Sequence, residues 1–414
     1  MKKTFVLIIL LAAVNTFAMS LDELKKKAVE NRPILQKYRF DTEISSENVR
    51  YQKGEFMPSA DTGYQYNQLD EDTMFDNSEN SNLFVSLSYN LFDGFRDKYN
   101  LKSAKEMKNV SMFELKSQRQ DIKLDVAVAY LNVYRNQRYL DVRRSAYKLY
   151  QKEYENAKLK YDVGVIQWSE VLKIKVEMDN AKQELMKAQA ELDKSLNTLS
   201  RKVNFDINIG DINFQLLEAI PEFQKYEFYK EEMYAVRSEL KALKTVVQAR
   251  KYGVGASKSS LYPKVDLSLR YSNAADSVNP YGDNEDDEIR GQVNVNFNVF
   301  NGFQKYSNIN KAKLEMRKSK MDVMELKLDL KNQLQNVFED KTVALKNLGV
   351  ARASLIEAEE NLRVTEASFK EGVATSTDIL DAIFYLSRAR YNVINAKTQV
   401  FLNYFKLQRV IEKL

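Results

Sequence analysis

The sequence predicts a mainly α-helical protein made of one unit written twice, each unit carrying a β-hairpin of membrane-crossing length. Residues 90–95 read Asn-Leu-Phe-Asp-Gly-Phe and residues 298–303 read Asn-Val-Phe-Asn-Gly-Phe, 208 positions apart. The same offset carries Gly164 onto Gly372, and self-similarity at a fixed period is the mark of an internal repeat. Gly (12) and Pro (5) are scarce in 414 residues while 29% are charged, a composition that suits long helices.

Taken in order, the chain opens with a secretory signal: Lys2 and Lys3, an apolar run from Phe5 to Val14, and a small-residue cleavage site at Thr16-Phe17-Ala18. The expected division is a signal peptide at 1–18, a first repeat at 19–200, a connector at 201–227 and a second repeat at 228–414. Each repeat begins with a helical stretch, at 21–53 and 228–252, followed by a hairpin at 58–91 and 263–299 that Pro58 or Pro263 introduces. Arg32 and Arg237, like Tyr66 and Tyr271, lie 205 apart, so the second hairpin loop is three residues longer.

The strand signal is period-two alternation, which gives a strand one apolar and one polar face. Val265, Leu267, Leu269 and Tyr271 alternate with Lys264, Asp266, Ser268 and Arg270, and Leu83, Val85, Leu87, Tyr89 and Leu91 with Asn82, Phe84, Ser86, Ser88 and Asn90. Val293, Val295, Phe297 and Val299 alternate with Gln292, Asn294, Asn296 and Asn298; Ala60, Thr62, Tyr64 and Tyr66 form a weaker fourth set. Strands of about ten residues match a tilted barrel strand crossing a bilayer. The hairpin loops at 70–79 and 276–288 are acidic. Four strands cannot close a lumen and lipid does not tolerate open edges, so the barrel must be shared between subunits.

After each Phe-x-Gly-Phe turn (Phe92, Gly94, Phe95; Phe300, Gly302, Phe303) the chain enters long helices, expected over 96–199 and 304–410 with reversals at Gly164 and Gly372. The first segments, expected at about 96–163 and 304–371, would each reach ~100 Å if unbroken, with Gly349 as a candidate seam in the second copy. Val171, Ile174, Met178, Ala181, Leu185, Ala188, Leu192, Ser195 and Leu199 step by three and four, as do Ile379, Ala382, Leu386, Ala389, Val393, Ala396, Val400, Asn403 and Leu407. Both are coiled-coil seams. In the connector, Phe205, Ile207, Ile209 and Ile212 have strand-like spacing.

There is no His and no Cys. That removes the commonest general base, the usual zinc and thiolate chemistry and any disulfide; no enzyme, metal or cofactor is expected. The net charge of +5 is spread along helices in alternation with acids, so no nucleic-acid partner is expected.

The signal, the two copies of hairpin plus coiled helices, and the paired turns in register with Tyr161-Asp-Val-Gly164 and Phe369-Lys-Glu-Gly372 resemble the TolC family of outer-membrane efflux ducts. Asn31-Arg32-Pro33 is similar to that family's N-terminal Asn-x-Pro pattern. The resemblance implies a homotrimer with a twelve-stranded β-barrel in outer-membrane lipid and a long periplasmic α-helical barrel. It implies a passive exit duct in a tripartite efflux or type I secretion system, working with a periplasmic adaptor and an inner-membrane pump. Gly164 and Gly372 would mark the periplasmic tips, with Val163, Val165, Ser169, Val373 and Thr377 as adaptor contacts. Asp378 and Asp381, three apart on one helix face, read either as ordinary helix-start acids or, by resemblance, as a threefold carboxylate constriction. Glu170 and Lys173 occupy the equivalent positions of the first copy. Phe369 and Ala374 stand where well-known members carry a Tyr and an Arg, so a Tyr–Arg latch is not expected. Trp168, the only Trp, reads as packing or as an adaptor seat. The rival reading, a structural periplasmic coiled-coil or adaptor protein without a pore, leaves four lipid-length strands unexplained.

Overall fold

The computed structural model describes residues 18–72, 78–281 and 286–414. Residues 1–17 of the expected signal peptide (1–18) and the loop acids Asp76, Asp283 and Glu285 lie outside the described residues. Two compact units emerge: Met1–Leu35, Gln118–Arg237 and Lys331–Leu414 in one, Gln36–Ser117 and Ser238–Leu330 in the other.

The second unit holds the strands β1 (Ser59–Gln68), β2 (Glu79–Phe92), β3 (Lys264–Ala275) and β4 (Asp286–Asn296), paired in that order in one antiparallel sheet. The two hairpins of the duplication therefore join through β2 and β3. The register carries Thr62, Val85, Tyr271 and Ile289 across one face and Asp61, Ser86, Arg270 and Arg290 across the other. Val85, Leu87, Leu267, Leu269, Tyr271, Val293 and Val295 are all exposed in the single chain. A face this apolar and this uncovered is unlike the surface of a soluble monomer.

Two strand expectations need correction. Asp286, Asp287 and Glu288 belong to β4, not to a loop, because β3 extends far enough to pair them with Ala274, Asn273 and Ser272; the backbone ladder outweighs their charge. At the other end β4 stops at Asn296, leaving Phe297 and Val299 outside the strand. Its last partner is Lys264, and the preceding Pro263 has no N–H with which to extend the ladder.

Each strand pair delivers the chain into a helix through the same turn. Gly94 and Phe95 have φ of 72° and 69°, and Gly302 and Phe303 have 64° and 66°. A phenylalanine in the left-handed region is uncommon. In both copies its ring packs edge-on against the phenylalanine three before it, at 5.1 Å for Phe92–Phe95 and 5.4 Å for Phe300–Phe303.

The helices are α1 (Leu21–Asn31), α2 (Pro33–Gly54), α3 (Arg96–Asp162), α4 (Trp168–Val203), α5 (Tyr226–Val236), α6 (Ser238–Lys258), α7 (Gln304–Lys370) and α8 (Ser376–Val410). Each opening helix, expected as one piece, is broken once, at Arg32 and at Arg237. The breaks free those two side chains for the same task. The Arg32 guanidinium donates to the Arg201 carbonyl and Arg237 to that of Arg409, each at 3.0 Å. The first caps a carbonyl in the last turn of α4, and the second adds a side-chain donor to the Arg409 carbonyl, which also accepts from the Glu412 N–H at 3.1 Å. Conversely α3 and α7 run 67 residues each, and α7 passes through Gly349 without a seam. Of the seam positions on α4 and α8, every one is buried or half-buried.

The connector is not a strand. It forms two short 3₁₀ turns and a single parallel bridge from Ile212 to Met19. Its hydrophobic spacing serves anchorage instead: the Tyr130 hydroxyl donates to the Asn213 carbonyl at 2.7 Å, and Phe214 packs on Tyr130.

The two turn glycines should respond unequally to substitution. A Cβ on Gly94 would meet the Ser259 carbonyl oxygen at 2.5 Å, whereas one on Gly302 meets nothing within 4 Å. Gly302→Ala then costs about 1 kcal/mol of left-handed strain. Gly94→Ala adds an overpacking cost of about 1–3 kcal/mol. Thermal unfolding of the two variants checks the order.

Candidate functional site

The four long helices meet around the glycine reversals, where Ala146 and Tyr150 (α3), Met178 (α4), Leu362 and Phe369 (α7), and Ile379, Ala382, Ile383 and Leu386 (α8) share one buried cluster. A second cluster, Ala157, Val171 and Ile174, packs between α3 and α4. Both reversals are Schellman turns. Val165 N–H bonds the Lys160 carbonyl at 2.8 Å and Val373 N–H the Ser368 carbonyl at 2.9 Å, with Gly164 and Gly372 at φ 78° and 75°. Glycine is required there for its left-handed backbone. Val163, Val165 and Val373 are exposed at 74%, 66% and 81%, and Ser169 and Thr377 are exposed as well. Trp168 packs against Tyr161 at 4.9 Å between ring centres, with nearly half its surface open.

The residues expected at a constriction separate into two groups. Asp378 belongs to a capping box: its carboxylate accepts from the Thr375 N–H and hydroxyl, both at 2.7 Å, while its own N–H donates back to Thr375 at 3.2 Å. These bonds hold its carboxyl below the usual aspartate range. Thr375 is the N-cap, and the helix begins at Ser376. Asp381 is free of that cap. It lines a cavity of about 570 Å³ with Lys173, Thr377, Tyr150, Glu177 and Phe384. Glu170 pairs with Lys173 at 2.9 Å. That bond, with the nearby Lys173 charge and Ser376 hydroxyl, keeps the Glu170 carboxyl below its ordinary range.

One residue of this region escaped sequence reasoning. Lys160, in the last turn of α3, donates to the Phe369 carbonyl at 2.8 Å and sits 3.9 Å from the centre of the Phe369 ring. It thus satisfies the end of α7 and makes a cation–π contact at once. A basic residue in a helix's last turn was a visible signal; its partner on the other hairpin was not.

At the strand-to-helix turns, the two copies use one scaffold with opposite charge. In the first, the Asp97 N–H donates to Asp93 at 2.9 Å and Asn90 donates to the Asp97 carboxylate at 2.8 Å. In the second, the Lys305 N–H bonds Asn301 and its ammonium bonds the Asn298 carbonyl. Burial, the neighbouring Asp93 carboxyl and the charge of Glu55 push Asp97 up to about 6, against the opposing Asn90 bond.

The sign of the resulting pH effect is fixed. An acid whose folded pKa is raised binds more protons folded than unfolded, so its contribution is most favourable in acid and is lost as pH rises through about 4 to 6. Asp97→Asn should match the native protein near pH 4. At pH 7.5 it should exceed it by about 1 kcal/mol, the full effect being reduced by solvent screening. Chemical unfolding at the two pH values checks it.

Comparison with known proteins gives a consistent picture. The family model described as outer membrane efflux protein matches residues 24–204 and 231–411, one match to each copy. The outer membrane efflux protein BepC of Brucella suis is 21% identical over 92% of this chain and 82% of its own. The outer membrane protein TolC of Vibrio cholerae is 22% identical over 96% of this chain and 92% of its own. Among solved structures, a membrane protein from Pseudomonas aeruginosa superposes with a TM-score of 0.82 at 16% identity, covering 94% of this chain and 90% of that one.

Proposed function

This chain belongs to the outer membrane efflux protein family, and we propose that three copies of it close into one exit duct that receives its cargo from a periplasmic adaptor and an inner-membrane pump. The chain is an outer-membrane efflux channel with a large periplasmic part. The observation that carries the trimer is the sheet: four membrane-length strands, an apolar face without a core, and outer edges on β1 and β4 that no described strand pairs. Three such sheets joined edge to edge make a twelve-stranded barrel and leave no edge in lipid. Helix α7 supports the same assembly, because Leu314, Met321 and Leu328 recur at heptad spacing and are exposed, a seam awaiting another helix. The purely structural coiled-coil alternative leaves the apolar sheet face without a medium.

In this reading Gly164 and Gly372, with Val163, Val165, Ser169, Val373 and Thr377, form the adaptor-facing tips. Asp381, Glu170 and Lys173 line the mouth, and Asp378 sets the start of its helix. Closure rests on Lys160 and Phe369, which hold the two hairpins of a subunit together where a Tyr–Arg pair is absent.

Two outcomes follow. In fractionated cells the protein runs as a trimer from unboiled outer membrane; a soluble periplasmic monomer overturns the duct. In planar bilayers Lys160→Ala raises the open fraction of the pore. Loss of a cation–π contact and a charge-assisted bond shifts the closed–open balance by about tenfold. Unchanged conductance rules Lys160 out as a latch.

A further inference from the structure

We propose that the polar cavity beside the strand-to-helix turns binds a small soluble polyanion, one bearing two or more carboxylate or phosphate groups, and that such anions are cargo of the duct. The inference rests on the duct reading and adds to it the class of substrate.

The cavity is about 590 Å³ and draws four cations together: Arg96 from the first turn of α3, Lys264 from the start of β3, and Lys305 and Lys311 from the first turns of α7. Two acids, Asp93 and Glu315, also line it. The acids are engaged elsewhere: Asp93 accepts from the Asp97 amide at 2.9 Å, and Glu315 lies 3.5 Å from Arg250 outside the cavity. Of the cations only Lys264 has a carboxylate partner, Asp266 at 2.9 Å. Arg96 gives its Nε to the Ser259 hydroxyl at 3.1 Å, which orients the guanidinium and leaves its terminal nitrogens available. Lys305 reaches the Asn298 carbonyl and the face of the Phe297 ring at 5.2 Å, neither of them an anion, and Lys311 has no ion-pair partner among the described residues. Arg96, Lys305 and Lys311, without ion-pair partners among the described residues, outnumber the one lining carboxylate that no cation pairs, Asp93, so the hollow is net positive, and an anion there relieves the repulsion through charge-assisted hydrogen bonds.

The duplication provides an internal control. The positions equivalent to Lys264, Lys305 and Lys311 in the first copy are Ser59, Asp97 and Ser103. The same strand–turn–helix is built there without the cations, so the fold does not require them. The side of the sheet identifies the source of the anion. Lys264 pairs with Asn296 on the polar strand face, opposite the exposed apolar one, so the ligand arrives from water and not from a lipid headgroup.

The test uses the purified trimer in neutral detergent, titrated calorimetrically with inorganic pyrophosphate at fixed ionic strength, and the same trimer in neutral-lipid bilayers. The native protein should bind saturably, and its current should fall over the same pyrophosphate range. Lys305→Gln and Lys311→Gln should each weaken binding about tenfold, with the trimer and its melting temperature retained, while Glu315→Gln tightens it. A native trimer that conducts but binds no pyrophosphate, or one whose binding both Lys variants leave unchanged, overturns the anion site and spares the duct. Displacement of pyrophosphate by added phosphatidylglycerol overturns the soluble source. A protein that forms no pore overturns both readings.

Discussion

In hydrocarbon a backbone N–H or C=O without a partner costs several kcal/mol, so an extended chain is stable there only when both its edges are paired. This protein has four strands with an apolar face and a polar face, and its sheet ends at β1 and β4 without curling back on itself. Much of the remaining structure follows from that constraint. The central pairing of β2 with β3 welds the two hairpins into one sheet, and only the outermost edges, on β1 and β4, lack a partner among the described strands. The positive-φ turns at Gly94–Phe95 and Gly302–Phe303 end the strands sharply and start helices within two or three residues. The Schellman turns at Gly164 and Gly372 then return the chain, so that each copy supplies paired helices.

Much of this was legible because it is periodic. Alternation located all four strands, and steps of three and four located the seams that α4 and α8 bury. The offset of 208 matched both pairs of glycines to turns of the same geometry. What escaped was set by partners distant in sequence. The acids at 286–288 joined a strand because β3 was long enough to pair them. Phe297 and Val299 fell outside because Pro263 ended the opposite ladder. The break at Arg32 precedes Pro33, whose ring disfavours a helical residue before it, and at both breaks the guanidinium reaches a helix end about 170 residues away; the offset between these arginines was visible, their shared task was not. For Asp378 the sequence left two readings open, and the geometry accounts for its carboxylate by local capping. Lys160 was invisible as a tie because its partner lies on the other hairpin.

The copies are most informative where they diverge within a shared scaffold. Asp97 and Lys305 sit at equivalent points of equivalent turns, one an acid crowded by Asp93 and the other a cation with no ion-pair partner among the described residues. Glu170 and Lys173 form an ion pair where the second copy has Asp378 bound into its cap and Asp381 facing a cavity. Duplication supplies the geometry twice, and divergence of charge then crowds two acids at one turn, places a lysine at the other, and makes the equivalent positions beside the two glycine reversals unlike. Such divergence is available only where the backbone already satisfies itself, as at these turns and caps.

The central claim is that the free edges of the sheet pair with those of neighbouring copies, and the absence of cysteine makes it directly measurable. A cysteine fixed at Val293 on β4 is combined, one chain at a time, with cysteines at Ala60, Thr62, Tyr64 or Tyr66 on β1. The protein is then oxidised in the outer membrane and run under denaturing conditions. Edge-to-edge closure predicts that one register yields a covalently closed trimer. No cross-link in any register, or cross-linking that stops at dimers, would contradict it.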